Sequence, residues 1–269
     1  VRKKGYSFIN IAGLTVGLAC CLVIFQYVAF EYSFDRFHAH ERDLYRVLQT
    51  TPLVAEAFEG GGPHTGFALG PALVEGVPEV VRATRLHPEY NAAIVSSPLR
   101  PDRVFEEERV FYADPAFLEM FTFPLTAGNP KTALEPGTVL LSESAAKKYF
   151  GAENPMGQVL DVTGGIDRSY RVAGVVREVP ASSHIQFDFL LPMDDLVREG
   201  YSTEPEGGWS WNNFYTYVQL QPGADVAAAE RKMTEVYRAR RGEALREQGR
   251  TAHLWAQPMR DIHLNEETG

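Results

Sequence analysis

Cysteine is nearly absent from the 269 residues: the two that occur, Cys20 and Cys21, are neighbours, so the rest of the chain holds neither a disulfide framework nor a cysteine-based zinc site. Stability has to come from packing, for which a 45% apolar composition is ample and with which intrinsic disorder is incompatible. A surplus of positive charge is also missing. Lys+Arg is 26 against Asp+Glu 35, a formal net charge of −9, and a chain this acidic lacks the electrostatic footprint that a phosphate backbone requires. Nucleic acid is therefore excluded as a partner. No G-x-x-x-x-G-K-[ST] loop, H-E-x-x-H pair or G-x-S-x-G elbow occurs, so ATP hydrolysis is not expected of this chain. No catalytic, cofactor-binding or metal-ligating residue is assigned from the sequence. Ser182-Ser183-His184 sets hydroxyls beside an imidazole, but neighbours in a strand point to opposite faces and the adjacency supports no triad.

What is present is concentrated at one end. Arg2, Lys3 and Lys4 precede a run from Gly5 through Phe30 that carries no charge, with Asn10 and Gln26 its only strongly polar side chains. At a rise of ~1.5 Å per residue, a helix of that length exceeds the ~30 Å hydrocarbon core of a bilayer. The cations lie on one side only, so the positive-inside rule places residues 1–4 in the cytoplasm and residues from about 31 onward outside it. A cleavable signal would have a shorter apolar stretch. A lipoprotein signal ending at Gly17-Leu18-Ala19-Cys20 would not continue through Leu22, Val23, Ile24 and Phe25. The opening Val1 and the lack of a second apolar run before Gly269 point to a piece of a larger protein.

Beyond the span, Tyr32 to His38 mixes aromatics with charges as an interfacial collar would, and His38 and His40 read as solvated members of it. Strands are expected over Leu44 to Thr50 and Val80 to His87. A loop at Gly60-Gly61-Gly62-Pro63 and a helix from Phe67 to about Glu75 lie between them, the helix start displaced towards Gly70 by Pro71. The order recurs later. Phe214 to Gln221 reads as a strand; Asp225 caps a helix with Val226, Ala229, Met233, Val236 and Tyr237 on one face; Thr251 to Gln257 closes the unit. Between the two units, about Val104 to Leu196 is rich in strands and turns. Thr138 to Leu141 leads through Ser142, an N-cap, into a helix Glu143 to Phe150 ended by Gly151; Tyr170 to Val176 and the alternating Ile185, Phe187 and Phe189 are further strands. The acid runs Glu106-Glu107-Glu108 and Asp194-Asp195 read as solvated surface, and Trp209, Trp211 and Phe214 as core. The pattern is an α+β domain in which two strand-helix-strand units flank an insert.

Gly5-Tyr6-Ser7-Phe8-Ile9-Asn10-Ile11-Ala12-Gly13-Leu14 and the following Phe34-Asp35-Arg36-Phe37-His38 resemble the first membrane helix of MacB/FtsX-type ABC transporter permeases. Leu44-Tyr45-Arg46-Val47, Gly137 to Gly151 with Asn154-Pro155-Met156-Gly157, Tyr170 to Val176, Ser183-His184-Ile185-Gln186-Phe187-Asp188-Phe189-Leu190 and Asp261-Ile262-His263-Leu264 are similar, in order, to that family's extracytoplasmic core domain. The resemblance implies a transmembrane helix and stalk over 1–43, a porter-like first half over 44–103, a β-rich sabre-like insert over 104–196 and a porter-like second half over 197–269. It implies a permease subunit in the bacterial inner membrane, with a cytoplasmic ABC ATPase as a separate partner, a second permease copy or homologue forming a dimer, and in some members a periplasmic adaptor and an outer-membrane channel. The implied mechanism is mechanotransmission from cytoplasmic ATP hydrolysis to the extracytoplasmic domain. The other reading is a membrane-anchored sensor or ligand-binding domain.

Mechanotransmission requires a stiff link, and Glu31 to Asp43 contains neither Gly nor Pro. Tyr32, Ser33, Phe34, Asp35, Arg36 and Phe37 are accordingly the candidate coupling residues. On this reading, Gly or Pro at Ser33 or Arg36 should uncouple ATPase activity from transport without loss of expression, and normal transport by such a variant would count against it.

Overall fold

The computed structural model describes residues 2–49, 62–200, 207–247 and 251–268. The chain opens with α1 (Arg2–Glu31), then β1 (Leu44–Gln49), β2 (His64–Gly66), α2 (Leu69–Gly76), β3 (Val80–Pro88), β4 (Ala93–Ser97), β5 (Arg100–Glu107) and β6 (Val110–Ala113). It continues with α3 (Phe117–Met120), β7 (Leu125–Gly128), β8 (Thr138–Ser142), α4 (Glu143–Phe150), β9 (Val159–Thr163), β10 (Arg168–Val176) and β11 (Phe189–Pro192). The remaining elements are α5 (Met193–Arg198), α6 (Gly207–Ser210), β12 (Asn212–Leu220), α7 (Val226–Glu247) and β13 (Leu254–Pro258), followed by 3-10 turns over Met259–Asp261 and His263–Thr268.

Apart from its last turn, α1 is not packed against the rest of the described chain. Its 27 residues from Gly5 to Glu31 are long and apolar enough to cross a membrane, and none of that stretch is buried by the rest of the chain. Phe8, Ile9, Leu18, Leu22 and Phe25 are exposed on all sides of the helix. A helix apolar all round is stable only where lipid or other membrane helices surround it.

The two expected strand-helix-strand units are β1-α2-β3 and β12-α7-β13. Their strands lie in the order β13-β1-β12-β3, each pair of neighbours antiparallel, which places β1 beside β12 rather than beside β3 and splits each unit around a strand of the other. α2 and α7 cover one face of these strands, burying Val47, Leu69, Leu73, Val218, Met233, Tyr237 and Leu254. Ala229, Met233 and Tyr237 lie on the buried face of α7 as the spacing predicts, and Asp225 Oδ1 accepts from the Ala228 amide at its start. Pro71 falls in the first turn of α2, where its missing N–H has no intrahelical acceptor to lose.

β3 is long enough to pair with β12 along most of its length and with β6 through Leu86 to Pro88, so the sheet runs on through β6-β11-β8-β10-β9-β4-β5. α4 lies on this second half. Ser142 Oγ accepts from the Ala145 amide, and Gly151 ends the helix at φ +67, both where the sequence places them. Tyr149, Phe150, Val139, Leu141, Tyr170, Val172 and Phe189 form the core beneath it. A third cluster, with Leu44, Leu86, Phe117, Phe187, Tyr217 and Ile262, fills the sheet face opposite α2 and α7.

Several expectations are corrected. The predicted strand through Ile185 and Phe187 begins only at Phe189, because both side chains are buried from an irregular loop whose polar groups bond elsewhere. β13 starts at Leu254, three residues later than expected, and Gly60-Gly61 and Thr50 lie outside the described residues. Trp209 is half-buried, Trp211 is 37% exposed with its ring against His87 and Phe214, and Phe214 is core. Two acids read as solvated are buried. Asp195 is 0% exposed and accepts from the Gly137 amide and from Arg168; Glu107 is 8% exposed and accepts from Tyr149 Oη at 2.6 Å and Lys148 Nζ at 2.7 Å. Alternation in sequence identifies which residues are apolar, not which acids have a cation or hydroxyl waiting in the fold.

The tightest tie between the two halves is Arg85 on β3. Its Nε and Nη2 donate to both oxygens of Asp114 at 2.8 and 2.6 Å, its Nη1 donates to the Phe67 carbonyl at 3.1 Å, and its guanidinium lies 3.8 Å from the Phe67 ring centre. Removing one member of such a mostly buried pair strands the other. Asp114→Ala is expected to destabilise the domain by about 3 kcal/mol in chemical unfolding, the lower end of the range for broken buried pairs; a loss below about 1 kcal/mol, the range of exposed pairs, would contradict this role.

Candidate functional site: the junction between α1 and the folded domain

α1 ends at Glu31 although no helix breaker follows. Ser33 Oγ donates to the Phe30 carbonyl at 2.7 Å, its amide bonds the same oxygen at 2.9 Å, and two residues later Asp35 takes a left-handed conformation at φ +58. Residues 32–43 are turns, not helix. The continuous rod expected from the lack of Gly and Pro is therefore corrected, and the cause is tertiary. The Asp35 amide donates to the Ser182 carbonyl at 2.8 Å, and the carboxylate is gripped by the loop that follows Pro180.

That grip is the centre of the junction. Asp35, 1% exposed, accepts from the His184 amide at 3.1 Å through Oδ1 and from His184 Nδ1 at 2.8 Å through Oδ2. An ionised carboxylate only accepts, so His184 Nδ1 carries the proton. His184 Nε2 lies 2.9 Å from the hydroxyl of Tyr217, a β12 residue 2% exposed. Burial alone would raise the Asp35 pKa, yet the hydrogen bonds from His184 and the proximity of the His38 ring outweigh it and hold the carboxyl well below the usual range. Burial pushes the Tyr217 phenol upward, keeping it protonated. The Asp35-His184-Tyr217 chain thus runs from the end of the membrane helix to the middle of the sheet. Ser183 takes no part in it, since its hydroxyl donates to the Ile185 carbonyl.

Two further contacts flank this chain. His38, expected to be solvated, is 2% exposed: its Nδ1 accepts from the Thr122 amide at 2.9 Å and its Nε2 lies 3.8 Å from Asp35, while the next amide, of Ala39, donates to Thr122 Oγ1 at 2.8 Å. On the other side, Glu31 at the last turn of α1 meets His263 Nε2 at 2.7 Å, and the His263 ring stacks on Phe34 with centroids 3.4 Å apart. The segment after β13 therefore returns to the foot of α1. Among the described residues, no three His, Cys, Asp or Glu side chains converge so as to hold a metal ion.

The six candidate coupling residues divide accordingly. Phe34, Asp35 and Phe37 point into the domain, Phe37 against Phe123 and His38. Ser33 closes the helix, whereas Tyr32 and Arg36 are exposed. A glycine at Arg36 would fall in a segment that is already non-helical, so Asp35 is the informative position. Sequence reading missed Glu31, His184, Tyr217 and His263 as members of the junction. The signal available was the isolated histidines in Ser183-His184-Ile185 and Asp261-Ile262-His263.

The comparisons follow this architecture. The family model described as "MacB-like periplasmic core domain" matches residues 7–236. A domain of a putative permease protein from Porphyromonas gingivalis superposes with a TM-score of 0.68 at 26% identity, over 83% of this chain and 92% of that one. The periplasmic region of MacB from Actinobacillus actinomycetemcomitans gives 0.57 at 15%, over 84% and 94%. The extracellular domain of the noncanonic ABC-type transporter YknZ from Gram-positive bacteria gives 0.53 at 12%, over 80% and 99%; these last two establish likeness of fold. No curated protein matches the chain significantly.

The junction has a defined pH response. Because burial lowers the His38 pKa from 6.5, with Asp35 only partly opposing, the unfolded chain binds the extra proton first as pH falls. Stability from neutral His38 is present above about 6.5 and is lost as pH drops through the depressed folded value. The Asp35 contribution is lost only in stronger acid, below the ordinary carboxylate range. The melting temperature should therefore fall between pH 7.5 and 5, and His38→Gln, which keeps an acceptor for Thr122 but does not titrate, should make that slope shallower, the remainder coming from His64 and His87, whose pKa values burial also lowers; an unchanged slope would refute the assignment. With its apolar N-terminal helix and the mixed sheet that the junction holds beneath it, the chain belongs to the family of MacB-like periplasmic core domains.

Proposed function

We propose that the chain is part of a permease subunit of a bacterial ABC transporter, in which an extracytoplasmic domain is moved by ATP hydrolysis in a separate cytoplasmic subunit to drive export or periplasmic work. In this reading 44–103 and 197–269 are the porter-like halves and 104–196 the sabre-like insert. The membrane is the bacterial cytoplasmic membrane, and a second permease copy or homologue completes a dimer. A periplasmic adaptor and an outer-membrane channel belong to the same class of assembly. Family membership and the unpartnered apolar surface of α1 support the reading.

The observation that carries it is the junction. A helix that only anchored the domain would need no more than a soluble tether, yet the foot of α1 is bonded to three separate parts of the domain: the loop before β11, the loop after α3 and the turns after β13. Displacement of α1 is passed to β12 through two hydrogen bonds, Asp35 to His184 and His184 to Tyr217. Coupling in this form does not need a continuous helix; it needs bonds that hold under load.

The test uses the full-length permease reconstituted with its ATPase, with Cys20 and Cys21 replaced by alanine and a spin label on an Arg240→Cys variant, an exposed position of α7. ATP should change the label-to-label distance across the dimer. Asp35→Ala and His184→Ala should abolish that change while ATPase turnover stays within about twofold of the parent, a difference under about 0.5 kcal/mol in barrier height. An ATP-dependent distance change that survives both substitutions would overturn the coupling role, and failure of any ABC ATPase to co-purify would overturn the permease reading itself.

A further inference from the structure

Register places Arg46 on β1, between β13 and β12. It is the cross-strand partner of Tyr217 on β12 and of Gln257 on β13, on the sheet face opposite α2 and α7. The residue is 6% exposed, yet among the described residues its one hydrogen bond is from Nε to Gln257 Oε1 at 3.0 Å and no carboxylate of theirs lies within ion-pair distance. The other buried arginine described above, Arg85, has a carboxylate partner in Asp114. Its two Nη groups make no hydrogen bond to the described residues and are not sealed from solvent, so the positive charge faces an opening in the fold rather than a protein partner.

Arg46 does not face packed protein. It lines a cavity of about 200 Å³ whose other walls are Leu86, Phe111, Ile185, Tyr215 and Ile262, with His184 and Tyr217 at one side. The positive charge reaches both tyrosines: burial pushes the Tyr215 and Tyr217 phenols upward, and Arg46 opposes that rise in each. The site therefore combines one cation, two phenols and an imidazole with the apolar walls of Leu86, Phe111, Ile185 and Ile262. A bare inorganic anion would leave that lining unsatisfied, and a neutral apolar molecule would leave the guanidinium without a counter-charge. The volume lies below the roughly 300–1,000 Å³ typical of pockets that enclose whole drug-sized ligands, which limits the occupant to a short body or to the end of a longer one.

We infer that this cavity is a binding site for a small amphiphile with a single anionic head, a carboxylate or phosphate monoester held by Arg46, and a short apolar body packed against Phe111, Ile185 and Ile262. The ligand would sit beside the Asp35-His184-Tyr217 chain, in contact with two of its three members. The inference rests on the domain's own geometry and does not depend on the permease reading.

The experiment uses the full chain in phosphatidylcholine nanodiscs, with empty nanodiscs as the partition control, and follows binding by calorimetry and saturation-transfer NMR. The probes are hexanoate, hexyl phosphate, hexanol and acetate. Hexanoate or hexyl phosphate should bind saturably and at least about tenfold more tightly than hexanol or acetate, a difference of about 1.4 kcal/mol; the order of the two anions tells a carboxylate site from a phosphate site. Arg46→Gln should remove the preference for the charged probes, and Ile262→Phe, which fills the cavity and leaves the charge, should weaken all binding. Equal binding of hexanoate, hexyl phosphate and hexanol would overturn the inference, as would acetate binding as well as hexanoate, or a folded Arg46→Gln protein that binds like the parent. If Arg46→Gln does not fold, the comparison of charged with neutral probes on the parent and the Ile262→Phe variant decides. No ATPase enters the assay, so a negative result leaves the permease reading untouched.

Discussion

A carboxylate buried directly after a membrane helix needs compensation, and the way Asp35 finds it organises the base of the domain. Left-handed backbone at a residue with a side chain costs roughly 1–2 kcal/mol, and burial of the charge adds to that. Hydrogen bonds to a charged group contribute about 1.5–3 kcal/mol each, and Asp35 has two from His184 alone. The bonds outweigh the strain, so the chain turns at Asp35. That turn ends α1, seats His38 under the Thr122 amide and delivers the backbone to β1.

The same residues show why part of this was legible in sequence and part was not. The membrane span, the two strand-helix-strand units, the Ser142 cap and the Gly151 terminus are local statements: periodicity, a side-chain acceptor, a left-handed glycine. Each depends on neighbours within a few positions, and each stands in the structure. Asp35 is different, because its partners are 149 residues away in sequence and nothing in Phe34-Asp35-Arg36 announces them. Local propensity at 31–43 allows a helix to continue; a distant histidine stops it. The burial of Asp195 and Glu107 escaped for the same reason, since acidity is written in the sequence but the Arg168, Tyr149 and Lys148 that receive them are supplied by the fold. The strand expected at Ile185 failed because alternation reports burial of one face, whether or not a ladder forms.

The junction and the Arg46 cavity meet at Tyr217 and His184, which serve both. One face of the β13-β1-β12-β3 strands is closed by α2 and α7 with aliphatic packing, while the other carries the polar and aromatic residues that contact the turns after α1, the loop before β11 and the turns after β13. Structural support and candidate recognition are thereby separated onto opposite faces of the same strands. The long β3 then joins this unit to the second half of the sheet, with Arg85 and Asp114 locking the seam.

The split arrangement of the two strand-helix-strand units has a mechanical meaning. β1 is the first strand after the membrane helix, and because β12 and β13 both come later in the chain, it is flanked on either side rather than left at an edge. Ladder hydrogen bonds lie across the strand direction. A pull along β1 from the membrane side therefore loads both ladders in shear, all their bonds together, whereas an edge strand peeled sideways would release them one at a time. A pull carried along the backbone would meet first the strand whose position lets the sheet resist as a unit.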